Sequence, residues 1–88
     1  MTEVVYGKKF LKSVDKNLPQ DQQDKLDTQI KRLENDPTDP RLKVKSLSGR
    51  LSHLHSFRIN RSYRVLFRYR QDDTIQLLRA DHRKGIYE

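Results

Sequence analysis

The sequence predicts an α+β fold in the order β-α-α-β-β-β, an N-terminal strand and a two-helix hairpin packed on one face of a small antiparallel sheet. Apolar residues recur at helical spacing before Asp36 and alternate at strand spacing after Leu54. Proline and glycine fall between these segments rather than inside them. With 88 residues, 33% hydrophobic and 35% charged, the chain suits one domain, 1–88, with a thin core.

Glu3 to Tyr6 is β-prone and stops at Gly7, which predicts a first strand. In Lys8 to Asn17 the residues Phe10, Leu11 and Val14 make one apolar helical stripe, and Leu18-Pro19 breaks it. A second helix starts at Pro19, with Asp21 and Asp24 near the positive end of its dipole. Leu26, Ile30 and Leu33 form its buried face, and the prolines at 37 and 40 end it. Arg41 to Arg50 is a basic connector with a turn at Gly49. Leu54 to Asn60 is a strand with Phe57 and Ile59 on one face and Ser56 and Arg58 on the other. After a tight turn at Asn60-Arg61-Ser62, Tyr63 to Arg70 runs back. Tyr63, Val65, Phe67 and Tyr69 share one face; Arg64, Arg68 and Arg70 oppose them, interrupted by Leu66. Thr74 to Asp81 carries apolar residues of both parities, as an inner strand does.

Charge is the strongest functional signal. The net charge is +7, and Arg41 to Arg70 contains nine Lys and Arg and no acid, whereas the acids crowd into Asp15 to Asp39. From His55 to Tyr87 lie seven arginines, one lysine, two histidines and three tyrosines, so the face opposite the helices reads as a row of cations. Such a surface suits a polyanion, with RNA the leading candidate. The absence of cysteine removes disulfides and thiolate metal sites and fits a reducing cytoplasm. Nothing resembles a signal peptide, and no stretch approaches the roughly 20 apolar residues of a membrane span. A soluble cytoplasmic protein is expected.

Familiar catalytic motifs are missing: no glycine-rich phosphate loop, no HExxH, no GxSxG and no Cys/His metal spacing. The three histidines, His53, His55 and His82, lack chelate spacing, so neither metal nor cofactor is expected. What remains is chemistry by cations, imidazole and phenol. RNA supplies its own nucleophile, the 2′-OH. Cleavage then needs a base, positive charge on the transition state and an acid for the leaving oxygen. Arginine grips phosphate with a planar fork, and histidine exchanges protons near neutral pH.

Leu47-Ser48-Gly49, Phe57-Arg58-Ile59-Asn60, Tyr63 to Arg68 and the terminal Asp81-His82-Arg83-Lys84-Gly85-Ile86-Tyr87 together resemble the RelE/ParE superfamily of toxins. The resemblance covers nearly the whole chain and leans toward the RelE and YoeB-like endoribonucleases. It implies a RelE-like microbial RNase fold and the toxin of a type II toxin–antitoxin system, which cuts mRNA in the ribosomal A site and inhibits translation. It also implies that Arg64 stabilises the scissile phosphate and that Tyr87 orients or stacks on the RNA. His82 and Arg83 fall where relatives keep groups for leaving-group protonation and phosphate contact. Strand parity puts Ser56 and Arg58 where RelE itself has two lysines, whereas an ungapped count puts His55 at the first. The basic connector has no glutamate where YoeB-like members carry their base. Lys43, Lys45, Arg50, Arg61, Arg68 and Lys84 are expected RNA contacts. The implied partners are an antitoxin, mRNA and the ribosome, with operator DNA reached only through the antitoxin. The alternative is a ParE-like toxin that inhibits DNA gyrase by binding, without catalysis.

Overall fold

The computed structural model describes residues 2–87. Strand β1 (Val4–Tyr6) leads into helices α1 (Lys8–Asn17) and α2 (Gln20–Asn35), and strands β2 (Lys45–Ser46), β3 (His55–Arg58), β4 (Tyr63–Tyr69) and β5 (Ile75–His82) follow. The sheet order is β1-β5-β4-β3-β2. Both helices begin and end where their sequence signals place them. Leu18, buried, stops α1 with its N–H on the Val14 carbonyl, and the Pro19 carbonyl opens α2 by accepting from Gln22 and Gln23.

The sheet differs from the sequence expectation in two ways. It is mixed rather than wholly antiparallel, because β1 lies parallel to β5, with Val4 opposite Ile75. The helical hairpin carries the chain from β1 to β2 at the opposite edge, and the antiparallel strands β2 to β5 then return it to lie beside β1. The basic connector also contributes a fifth strand, β2, pairing Lys45 with Ser56 and Ser46 with His55. Two residues, Lys45 and Ser46, carry too little alternation to announce a strand in sequence.

Phe10, Leu26, Ile30 and Leu33 from the helices close over Phe57, Val65, Phe67, Ile75, Leu77 and Ala80 of the sheet. The exception on the predicted α1 stripe is Leu11, which stays 50% exposed. A bulge resolves the mixed parity of β5. Leu66 faces Arg79 and Phe67 faces Leu77, leaving Leu78 unpaired, so Leu77 and Ala80 both turn toward the helices. Leu78 turns the other way and joins Leu54, Leu66 and Ile86 in a second apolar cluster with Leu47 and Leu51. The sheet face opposite the helices is therefore partly covered, by the Gly49–Leu51 turn and the C-terminal tail, rather than open along its length.

β1 pairs with β5 only from Ile75 to Leu77. Beyond that, α1 occupies the edge: Ser13 Oγ accepts from the Ala80 N–H and Asn17 Nδ2 donates to the Ala80 carbonyl, each at 2.9 Å. Side chains thus satisfy backbone groups that would otherwise template another strand. No helix among the described residues is long and apolar enough to cross a membrane.

Candidate nucleic-acid interface

The register of the sheet lays out the basic face. One row runs Lys45, Ser56, Leu66, Arg79; the next runs Arg58, Arg64, Asp81. Arg58 and Arg64 are direct cross-strand neighbours. Like charges directly opposite destabilise a sheet, so this pair costs folding free energy rather than supplying it.

Three devices hold these side chains. The first is the β3–β4 turn, where Asn60 Oδ1 accepts from the N–H groups of Ser62 and Tyr63 at 2.8 and 3.0 Å. Asn60 Nδ2 in turn donates to the buried Gln22 of α2. The second is Gln29, 5% exposed, whose Nε2 donates to the carbonyls of Arg41 (3.1 Å) and Arg58 (2.5 Å). It ties the start of the connector to the end of β3. The third is the tail. Arg83 N–H donates to the Ser62 carbonyl at 2.7 Å, the His82 carbonyl accepts from Gly85 and Ile86, and Ile86 is fully buried. With Ile86 anchored, Tyr87 lies over β3, its hydroxyl 3.3 Å from Ser56 Oγ.

Lys43, Val44, Lys45, Ser56, Arg58, Arg64, Arg83 and Tyr87 line a groove of about 420 Å³. No carboxylate lines it, and among the described residues none of its five cations forms an ion pair. Arg64 is oriented through Nη1 alone, which donates to the carbonyls of Asn60, Arg61 and Tyr63. Its Nε and Nη2 make no hydrogen bond among the described residues. Partial burial, and then the charge of Arg58, push its guanidinium below the ordinary arginine value; Tyr87 opposes the shift and Arg83 adds to it. Lys43 has φ 52°, in the left-handed region that a lysine seldom enters, and the strained backbone sits at the groove rim.

The structure therefore brings Arg58, Arg64, Arg83 and Tyr87 together and adds Lys43 and Lys45 to them. It does not bring in the histidines. His82 faces Tyr63 across β4 and β5, ring centroids 5.4 Å apart, and Tyr63 packs on the helix-side core. His55 faces Phe67 and packs edge-on against Tyr69 at 4.9 Å, with Nδ1 3.3 Å from Ser46 Oγ. Strand alternation turns both imidazoles to the face opposite the groove. Arg50, Arg61, Arg68 and Lys84 are exposed outside the groove lining, Arg68 donating to Gln76. Gln22 and Gln29 were legible only as polar residues at positions that share the helical face of Leu26, Ile30 and Leu33. That pattern signals buried polar ties, and both glutamines are such ties.

Among the described residues the site is thus a groove of unpaired cations beside a phenol, carried on a mixed sheet packed against a helical hairpin. The sequence model described as "ParE toxin of type II toxin-antitoxin system, parDE" matches residues 7–87, and the chain belongs to that family, within the RelE/ParE toxin superfamily. Among solved structures the chain is similar to YafQ from Escherichia coli BL21(DE3), with 16% identity, all of both chains covered and a TM-score of 0.77. It is also similar to a chain of the RelBE2 toxin–antitoxin complex from Mycobacterium tuberculosis, with 25% identity over 93% of this chain and 98% of that one, at a TM-score of 0.73. A chain of the RelB–RelE antitoxin–toxin complex from Methanococcus jannaschii is 25% identical over 94% of each chain, with a TM-score of 0.75. No curated protein matches.

Proposed function

We propose that this toxin is an endoribonuclease that cuts mRNA in the ribosomal A site. The observation that carries the reading is the groove: Arg58, Arg64 and Arg83 converge without a carboxylate among its lining residues, beside the Tyr87 hydroxyl. The Arg64 guanidinium, already held by backbone carbonyls, needs little reorganisation to meet the charge that builds on a pentacoordinate phosphorus. Arg64 presents its Nε and Nη2 edge to the scissile phosphate, with Arg58 and Arg83 flanking it. The RNA 2′-OH attacks, leaving a 2′,3′-cyclic phosphate and a 5′-OH. With both imidazoles on the other face, proton exchange falls to groups in the groove, Tyr87 and the amines of Lys43 and Lys45. The ribosome contributes the alignment of 2′-OH, phosphorus and leaving oxygen.

The RelBE structures are complexes, and by that likeness the natural partner here is an antitoxin. An acidic segment bearing apolar residues complements the groove, and DNA is reached only through it. The site of action is the cytoplasm. Primer extension on translated mRNA after expression tests the activity. Wild type gives new 5′ ends and Arg64→Ala gives none; absence of new ends with wild type, or ends unchanged by Arg64→Ala, overturns it.

A second reading, a DNA gyrase inhibitor without catalysis, is favoured by the family match and by the lack of imidazole and carboxylate in the groove. Inhibition of supercoiling by the purified protein with mRNA intact decides for it.

A further inference from the structure

Asp81 stands directly across from Arg64 on adjacent strands and on the same face of the sheet. Opposite charges so placed have Cβ atoms about 5 Å apart and ordinarily pair. Here they do not. Arg64 Nη1 turns to the carbonyls of Asn60, Arg61 and Tyr63. Asp81 Oδ2 accepts from Arg79 Nη2 at 2.6 Å and Oδ1 from the His82 N–H at 2.7 Å. The tail closes over the carboxylate so tightly that a Cβ on Gly85 would come within 3.0 Å of Oδ2. Asp81 is absent from the groove lining. It is the one acid on the rows that form the basic face, and Arg79, two residues away on the same strand, is the cation that occupies it.

We propose that Arg79 is a positioning residue: it holds the Asp81 carboxylate off Arg64 and so keeps the Arg64 guanidinium open to phosphate. Without the Arg79 charge, Asp81 swings across the strand pair and ion-pairs with Arg64. The phosphate-binding edge is then occupied from within. The idea rests on the assignment of Arg64 to a phosphodiester, and its consequence is distinctive. Deleting a cation outside the groove weakens the site, and neutralising an anion restores it.

The test measures binding of a non-cleavable 2′-O-methyl oligoribonucleotide to wild type, Arg79→Gln, Arg79→Lys and Arg79→Gln/Asp81→Asn, with the Nε–Hε resonance of Arg64 followed by NMR in the free proteins. Arg79→Gln should bind about tenfold more weakly, while Arg79→Lys and the double variant bind as wild type does. The Arg64 resonance should move in Arg79→Gln and return in the double variant. Unchanged affinity in Arg79→Gln, or a double variant as weak as Arg79→Gln, overturns the proposal, as does an Arg79→Lys that behaves like Arg79→Gln. An RNA that fails to bind even wild type refutes the nucleic-acid reading instead. The NMR arm then still decides, because an Arg64 resonance unmoved in Arg79→Gln rejects the Asp81 contact whatever the ligand.

Discussion

In the proposed cleavage, Arg64 and Tyr87 would divide the groove's work between a fixed charge and a movable proton. The Tyr87 ring lies over β3 because Ile86 is buried beside it, and its hydroxyl reaches Ser56. Tyr87→Phe keeps the ring and removes the hydroxyl that faces Ser56 and is proposed to exchange a proton. Cleavage should fall by about a hundredfold, the scale of losing one aligned donor, while oligoribonucleotide affinity changes little. A loss of affinity equal to the loss of rate would instead assign Tyr87 to stacking alone. Arg58, Arg64, Arg83 and Tyr87 were legible in sequence because strand alternation and the terminal motif place them directly. His55 shares the alternation of Phe57 and Ile59, so its face was legible too; that of His82 was not, because the bulge in β5 shifts the parity and only the pairing with Tyr63 puts its ring on the helix side.

At the scale of elements, the helices and long strands announced themselves through apolar periodicity, and the connector did not. Its conformation is fixed by contacts distant in sequence. Gln29 reaches from α2 to the carbonyls of Arg41 and Arg58. Gln29→Leu leaves those carbonyls without their partner and should lower stability by about 1–3 kcal/mol in urea titrations; a change within error would mean that water replaces the amide. The turn at Pro40–Leu42 has its own lock in Asp39, which accepts from the Arg41 N–H and side chain. That hydrogen bonding to the Arg41 side chain, more than any other contact, holds the Asp39 carboxyl down at about 2, below the ordinary range near 4. A carboxyl depressed by folding stabilises the fold above its unfolded pKa, and the contribution fades as pH falls from about 4 toward 2. Asp39→Asn should therefore flatten the pH dependence of the melting temperature in that window and leave its slope above pH 5 unchanged. Asp36 and Asp72, lowered by hydrogen bonds from Thr38 and Thr74, act in the same direction.

For the whole molecule, a net charge of +7 on 88 residues is uneven: acids gather in the helical half and cations on the opposite sheet face. A polyanion bound there displaces counterions, so affinity for RNA should fall steeply with salt. The adjacent Arg58 and Arg64 add a thermodynamic consequence. Their mutual repulsion is present in the folded chain and largely absent from the unfolded one, so anything that neutralises it shifts the folding equilibrium. A site that taxes stability when empty turns the fold itself into a gauge of occupancy. At a hundred times its dissociation constant, a groove ligand should add about 2.7 kcal/mol. In a domain of this size each kcal/mol raises the melting temperature by about 4–8 °C. A thermal melt with a short non-cleavable RNA should show that rise in wild type and lose most of it in Arg64→Ala. A cell holding this chain without its neutralising partner would then keep the least stable form of the protein, the one most exposed to proteases.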